Sequence, residues 1–324
     1  MIDKSTLTTL ATDGYLLLEI DSSLYRQCVD LTERFFSIPL ADRLKLAPVR
    51  GKNFLGYVSS EDEIRDHKLA LPAFSGARRR EYSSFDFVGD PRVFSASGLK
   101  CINKWPRQEG FVGQAKKTYG ALRRYTNQIA LGIEDLLISQ FGNLLPEGCL
   151  ENPTCSMMRL LKYEERQSDR VSKEHTDYEY LAVLIADQVG LEVRNRDGKW
   201  RAVLSTSNSC ILVPGDMMAI ASGGWIPATP HRVTFGGSRR LSVVCFQGLK
   251  YKTRIPYPGP RGSALFGEHI CGMKVRGTRH LEKAWEAGNL KLSFDVPKRN
   301  PLAPCDLNLD RKPVRRRTRR NGRR

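Results

Sequence analysis

Residues 175–193 read HTDYEYLAVLIADQVGLEV, and this stretch decides the fold. Its centre, LAVLIA at 181–186, is a short apolar run closed off by Asp187 and Gly190, the pattern of a strand buried on both faces. The text on either side repeats the pattern: SMMRLLKY (156–163) precedes it, and LEVRN (191–195), KWRAVL (199–204), CILVPGD (210–216), MMAIAS (217–222), HRVTF (231–235) and RLSVVCF (240–246) follow. All are short, β-favourable and punctuated by Gly, Asp, Asn or Pro, which predicts a sandwich or barrel from about residue 150 onward.

Upstream the period changes. In residues 24–37, Leu24, Cys28, Leu31 and Phe35 fall on one helical face, and the Ile38-Pro39 step stops the helix. Residues 40–100 are irregular apart from EYSSFDF (81–87), which alternates like a strand. From 108 to 141, Leu122, Tyr125, Ile129, Ile133, Leu136 and Leu137 recur at helical intervals and predict one long helix or two in sequence. RGTRHLEKAWEAGN (276–289) reads as a closing helix stopped by Gly288. The fold class is therefore mainly β with flanking helices (α+β). The organisation is a helical and loop-rich cover (1–110), a connecting helix (111–145), a β core (150–290) and a basic tail (291–324).

Composition bounds the function. At 324 residues with 40% hydrophobic and 27% charged content, the chain can bury a sizeable core. No apolar run approaches the roughly 18 residues of a membrane helix, and the N-terminus lacks the pattern of a secretory signal, so a cytoplasmic location and no membrane partner are expected. The eight cysteines show no C-x-x-C pair and read as reduced, mostly buried thiols. Of the net charge of +17, residues 311–324 (RKPVRRRTRRNGRR) supply nine positive charges and leave +8 for the rest. That run is expected to be disordered. It reads equally as a solvated tail, as a nucleic-acid or polyanion binder, or as a nuclear signal.

The chemistry lies in the β region. His175 and Asp177 are two apart, so on an extended segment both side chains project from one face. His231 follows 54 residues after Asp177. Two histidines and one carboxylate form the facial triad that holds non-haem Fe(II) and leaves positions open for oxygen and a co-substrate. Nine residues after His231, Arg240 and Ser242 share a strand face by the same period of two. A guanidinium fork and a hydroxyl together suit a carboxylate. The other histidines, His67, His269 and His280, show no partner pattern. Asp216 reads as a turn residue before a core strand, and Trp105 as a packing residue.

HTDYEYLAVLIADQVGLEV, GDMMAIASGGW (215–225), the HRV and the R-x-S together resemble the iron(II)/2-oxoglutarate-dependent dioxygenases of the isopenicillin N synthase-like family. GYLLLEID, FFSIPLADRLKL, the GY at 56–57 and NKWP (103–106) are similar to that family's N-terminal region, so the likeness runs from about residue 12 to 290. The resemblance implies a double-stranded β-helix, or jelly roll. It implies Fe(II) held by His175, Asp177 and His231, O2 as oxidant, and 2-oxoglutarate as co-substrate held by Arg240 and Ser242 with help from Tyr163. It also implies a small-molecule substrate, a monomer, and Tyr57 and Trp225 near the substrate. The asparagine that plant members often carry two residues before the tyrosine is Leu161 here. The reaction implied is an oxidation, most simply a hydroxylation, with release of succinate and CO2. Three alternatives stand beside it. One is a same-fold oxidase that uses no 2-oxoglutarate. The second is a nucleic-acid dealkylase, which usually carries an arginine where this chain has Phe246. The third is a binding protein on an oxygenase fold that no longer turns over.

Overall fold

The computed structural model describes residues 2–60, 82–165, 174–234, 238–258 and 262–302. The basic run 311–324, His67 and Cys305 lie outside them. Seven strands, β1 Leu16–Glu19, β2 Gly56–Val58, β3 Ser83–Phe87, β4 Met157–Tyr163, β5 Leu181–Ala186, β8 Ser209–Pro214 and β10 Arg240–Gln247, form an antiparallel sheet in the order β1-β8-β5-β10-β4-β3-β2. The strands β6 Leu191–Arg194, β7 Trp200–Ala202 and β9 His231–Val233 form a smaller sheet in the order β7-β6-β9. A hairpin of β11 Arg254–Pro256 and β12 Ser263–Leu265 stands apart. Three strands of the large sheet come from the first 110 residues, so the N-terminal region is woven into the sheet as well as packed on it.

Register sorts the large sheet into two faces. Because directly opposed residues share a face, Phe85, Leu160, Val243 and Ile185 form one row. This is the helix side. The helix Ser22–Ser37 buries Leu24, Cys28, Leu31 and Phe35 on the predicted stripe. The Asp21 carboxylate accepts from the Leu24 amide at 2.9 Å to start it, and the chain turns extended at Ile38, before Pro39. Phe35 stacks on Phe85 with ring centres 4.2 Å apart, a contact that adds to about 1.5–3 kcal/mol of burial per large apolar side chain. The long helix is a single one, Phe111–Phe141, and its Tyr119 ring reaches Phe87 at 5.9 Å.

The opposite face carries Tyr163, Leu161 and Arg159 of β4, Arg240, Ser242, Val244 and Phe246 of β10, and Asp86 of β3. It looks toward the smaller sheet: a Cβ added to Gly190 would lie 3.7 Å from the Arg240 side chain. The polar groups of the large sheet thus gather where two sheets face each other. The architecture matches the expected mainly β, jelly-roll core with flanking helices.

Two expected elements differ. MMAIAS is not a strand but part of a helix, Asp216–Ala221, so Asp216 opens a helix and not a core strand. At six residues the apolar run cannot show its period, and the buried positions 217, 218 and 221 suit one helical face. The closing helix begins at Arg279 and not at 276. Thr278 is extended and separates Arg279–Glu286 from a preceding helix, Phe266–Gly277, that the sequence did not announce.

Candidate metal centre

His175 pairs with His231 through two backbone hydrogen bonds, His175 N–H to His231 O at 3.2 Å and His231 N–H to His175 O at 2.9 Å. This narrow antiparallel bridge extends the smaller sheet by one residue and brings the two imidazoles to 4.3 Å between ring centres. Asp177 follows on the same extended segment, held by the Asp216 N–H donating to its carbonyl at 2.9 Å. Gly215 makes this approach possible: a Cβ there would stand 2.2 Å from Glu179 O and 3.1 Å from Asp177 O.

The Asp177 carboxylate lies 3.9 Å from Nε2 of both His175 and His231. Across the three side chains, one ligand atom from each lies within 4.8 Å of the others. Two atoms 3.9 Å apart can both bond an ion at the roughly 2.1 Å of a metal–nitrogen or metal–oxygen bond. The His231 Nδ1–H donates to Thr229 O at 3.1 Å, which leaves Nε2 as the free lone pair toward Asp177. Asp177 and His231 are buried, whereas the His175 side chain is 51% exposed, so the site opens on that side. Two imidazoles and a carboxylate are a donor set that fits Fe(II).

Arg240 and Ser242 lie on the inner face of β10. Arg240 is 4% exposed and donates through Nε to Gln188 O at 3.0 Å and through a terminal nitrogen to Ser242 Oγ at 3.3 Å. Burial lowers its pKa, against the opposing pull of Tyr163 and Asp187. No carboxylate among the described residues forms an ion pair with it. A buried cation in that state is costly, and a bound carboxylate would satisfy it. Tyr163 is directly across from Arg240, its ring centre 5.1 Å from the guanidinium carbon, and burial pushes its phenol up to about 12, so it stays a neutral donor.

The remaining candidates fall elsewhere. Tyr57 is a core residue whose hydroxyl accepts from Arg43 at 2.8 Å. Trp225 packs on Phe141 at 5.5 Å, and Trp105 on Phe87 at 5.1 Å as expected. His280 Nδ1 accepts from the Gly51 N–H, and His269 is buried. Sequence reading passed over Thr229, Gly215 and Arg159. Only Arg159 left a signal, its even spacing from Tyr163 on one strand.

Residues 154–248 match the profile described as the 2OG-Fe(II) oxygenase superfamily. The chain is 27% identical over 279 residues to homoarginine-6-hydroxylase 2-ODD-233 of Oryza sativa subsp. japonica, covering 82% of this chain and 78% of that one. It is 25% identical over 277 residues to clavatol oxidase claD of Penicillium crustosum, covering 78% and 81%. A full-length Neurospora crassa protein, solved in complex with alpha-KG and 5-formyluracil, shares the fold at a TM-score of 0.64 and 18% identity, covering 84% and 88%. A matching profile across the β core, relatives that align along most of both chains and a two-histidine, one-carboxylate cluster in the same core agree: residues 154–248 are a domain of the 2OG-Fe(II) oxygenase superfamily.

Proposed function

We propose that His175, Asp177 and His231 hold the Fe(II), that Arg240 and Ser242 receive the far carboxylate of 2-oxoglutarate with Tyr163 beside them, and that the enzyme hydroxylates a small organic substrate. The observation that carries the assignment is the buried Arg240 guanidinium with no ion-paired carboxylate among the described residues, on the face that looks toward the histidine-bearing sheet. Relatives named for hydroxylating homoarginine and oxidising clavatol support a small substrate.

Iron bound there supplies the oxidising chemistry, in which one atom of O2 enters the substrate and the other enters succinate as 2-oxoglutarate loses CO2. The residues of the chain provide everything around it. Thr229 fixes the His231 tautomer, and the backbone bridge to His175 sets the spacing of the two imidazoles. Arg240 and Ser242 orient the co-substrate from its distal end, and the protonated Tyr163 adds a donor without adding charge.

Titrating 2-oxoglutarate into the anaerobic Fe(II) protein tests this through the weak visible absorption of an iron-chelated 2-oxo acid. We expect a saturable band in the wild type and roughly ten- to hundredfold weaker binding in Arg240→Ala, the loss of a charge-assisted contact. Equal affinity in the variant would overturn the assignment of Arg240. Iron binding without any band would favour an oxidase that uses no 2-oxoglutarate.

A further inference from the structure

The inner face of the large sheet carries a second polar group at its other end, four residues and about 13 Å along β4 from Tyr163. Arg159 binds Asp86 through Nε and one terminal nitrogen, both at 2.7 Å. Its second terminal nitrogen has no hydrogen-bond partner among the described residues. The guanidinium carbon lies 5.6 Å from the ring centre of Phe246, and the ammonium of Lys274, from the helix Phe266–Gly277, lies 5.7 Å from the same ring. The carboxylate closest to that ammonium, from Glu179, is 3.8 Å away, beyond hydrogen-bond length. Lys274 therefore donates to nothing among the described residues.

Two cations, each with donors left to solvent, thus meet at one aromatic ring. Both keep access to solvent, since the side chains of Arg159 and Lys274 are 23% and 14% exposed. Arg159 sits on a strand flanked by β10 and β3, so this access opens through the inner face of the sheet. Glu179 stands two residues after Asp177, which puts the Lys274 pair beside the carboxylate assigned to iron.

We propose that Arg159 and Lys274 receive a carboxylate of the organic substrate, so that the enzyme acts on a carboxylic acid whose apolar body lies along Phe246. This deepens the function proposed above and rests on it. One open guanidinium nitrogen and one ammonium match the two oxygens of a monoanion. Asp86 and Glu179 each pair with one of the two cations. The same two acids hold their cations from the flank and leave the open donors to the ligand.

The test uses the full chain under nitrogen with Fe(II) and saturating 2-oxoglutarate, so that Arg240 is already occupied. Homoarginine, indole-3-acetate and phenylacetate are each compared with the matching carboxamide by titration calorimetry, up to the solubility limit. We expect at least one acid to bind roughly tenfold or more tightly than its amide. Lys274→Met should lose that preference, and so should the double variant Arg159→Gln with Asp86→Asn, which keeps a neutral hydrogen-bonded pair in place. Thermal melts of both variants, and their unchanged affinity for 2-oxoglutarate, show that they are folded. Amides that bind as well as acids, a Lys274→Met protein that keeps the preference, or no acid binding beside normal 2-oxoglutarate binding would each overturn the proposal. Failure of 2-oxoglutarate itself to bind, read from its absorption band, would overturn the underlying function and this inference with it.

Discussion

His231 carries two duties, one in the backbone bridge and one at Nε2. Only the second is lost on truncation, because the bridge is made by main-chain atoms. His231→Ala should therefore stay folded but lose iron, measured as metal retained after dialysis, and its substrate-dependent succinate formation should fall below detection. His269 makes a pH prediction. Burial pushes its pKa down to about 3 from an ordinary value of 6.5, so the unfolded chain binds a proton in this interval that the folded chain refuses. Stability is fully present above pH 6.5 and falls as the pH drops toward 3, by about 1.4 kcal/mol per pH unit for this one site. Urea midpoints measured at a series of acidic pH values should show that slope, and His269→Phe should flatten it. At this scale the metal cluster and the residues proposed for the co-substrate were legible, since H-x-D and R-x-S become same-face pairs as soon as the segments are read as extended. Arg159 and Lys274 were not, because their meaning lies in a ring they share across distant segments, and one-dimensional spacing cannot show that.

Strands of alternating or wholly apolar character and the stripe in Ser22–Ser37 could be read because their periods are long enough to count. MMAIAS could not; its helix starts directly after Gly215, which passes close under the Asp177–Glu179 segment. Gly215 has an ordinary φ of −105°, so an added methyl group meets a steric obstacle and no backbone strain. Gly215→Ala must push β8 away from Asp177, and we expect it to cost about 1–3 kcal/mol. Iron affinity should weaken in step, and comparison of melting temperatures with and without Fe(II) would show both effects. A variant as stable and as iron-tight as wild type would mean that this approach is not what positions Asp177.

The core of the whole molecule stands on the helix side of the large sheet, while the polar residues Arg240, Ser242 and Tyr163 lie on the other face, toward the sheet that carries His231. Phe35→Ala, at the stacked contact with Phe85, should lower stability by about 3–5 kcal/mol. In the protein that remains folded, the affinity for 2-oxoglutarate should be unchanged, which denaturant titration beside the absorption assay can separate. The basic run 311–324 is a distinct matter of charge: its removal takes the net charge from +17 to +8. If it binds polyanions, salt-sensitive retention on DNA should vanish with it while succinate formation is preserved.

The backbone bridge between His175 and His231 closes a stretch of 55 intervening residues with two hydrogen bonds at its neck. When both side chains grip the same ion, that neck gains a clasp that neither sheet supplies. Metal then does more than serve the reaction: it cross-links two ends of a long excursion of chain and suppresses their local opening. Amide protons of His175 and His231 should exchange with solvent far more slowly in the iron-loaded protein than after chelation, while those of the buried central strands β5 and β10 hardly change. A chelator would act here as a selective loosener of one seam in the barrel.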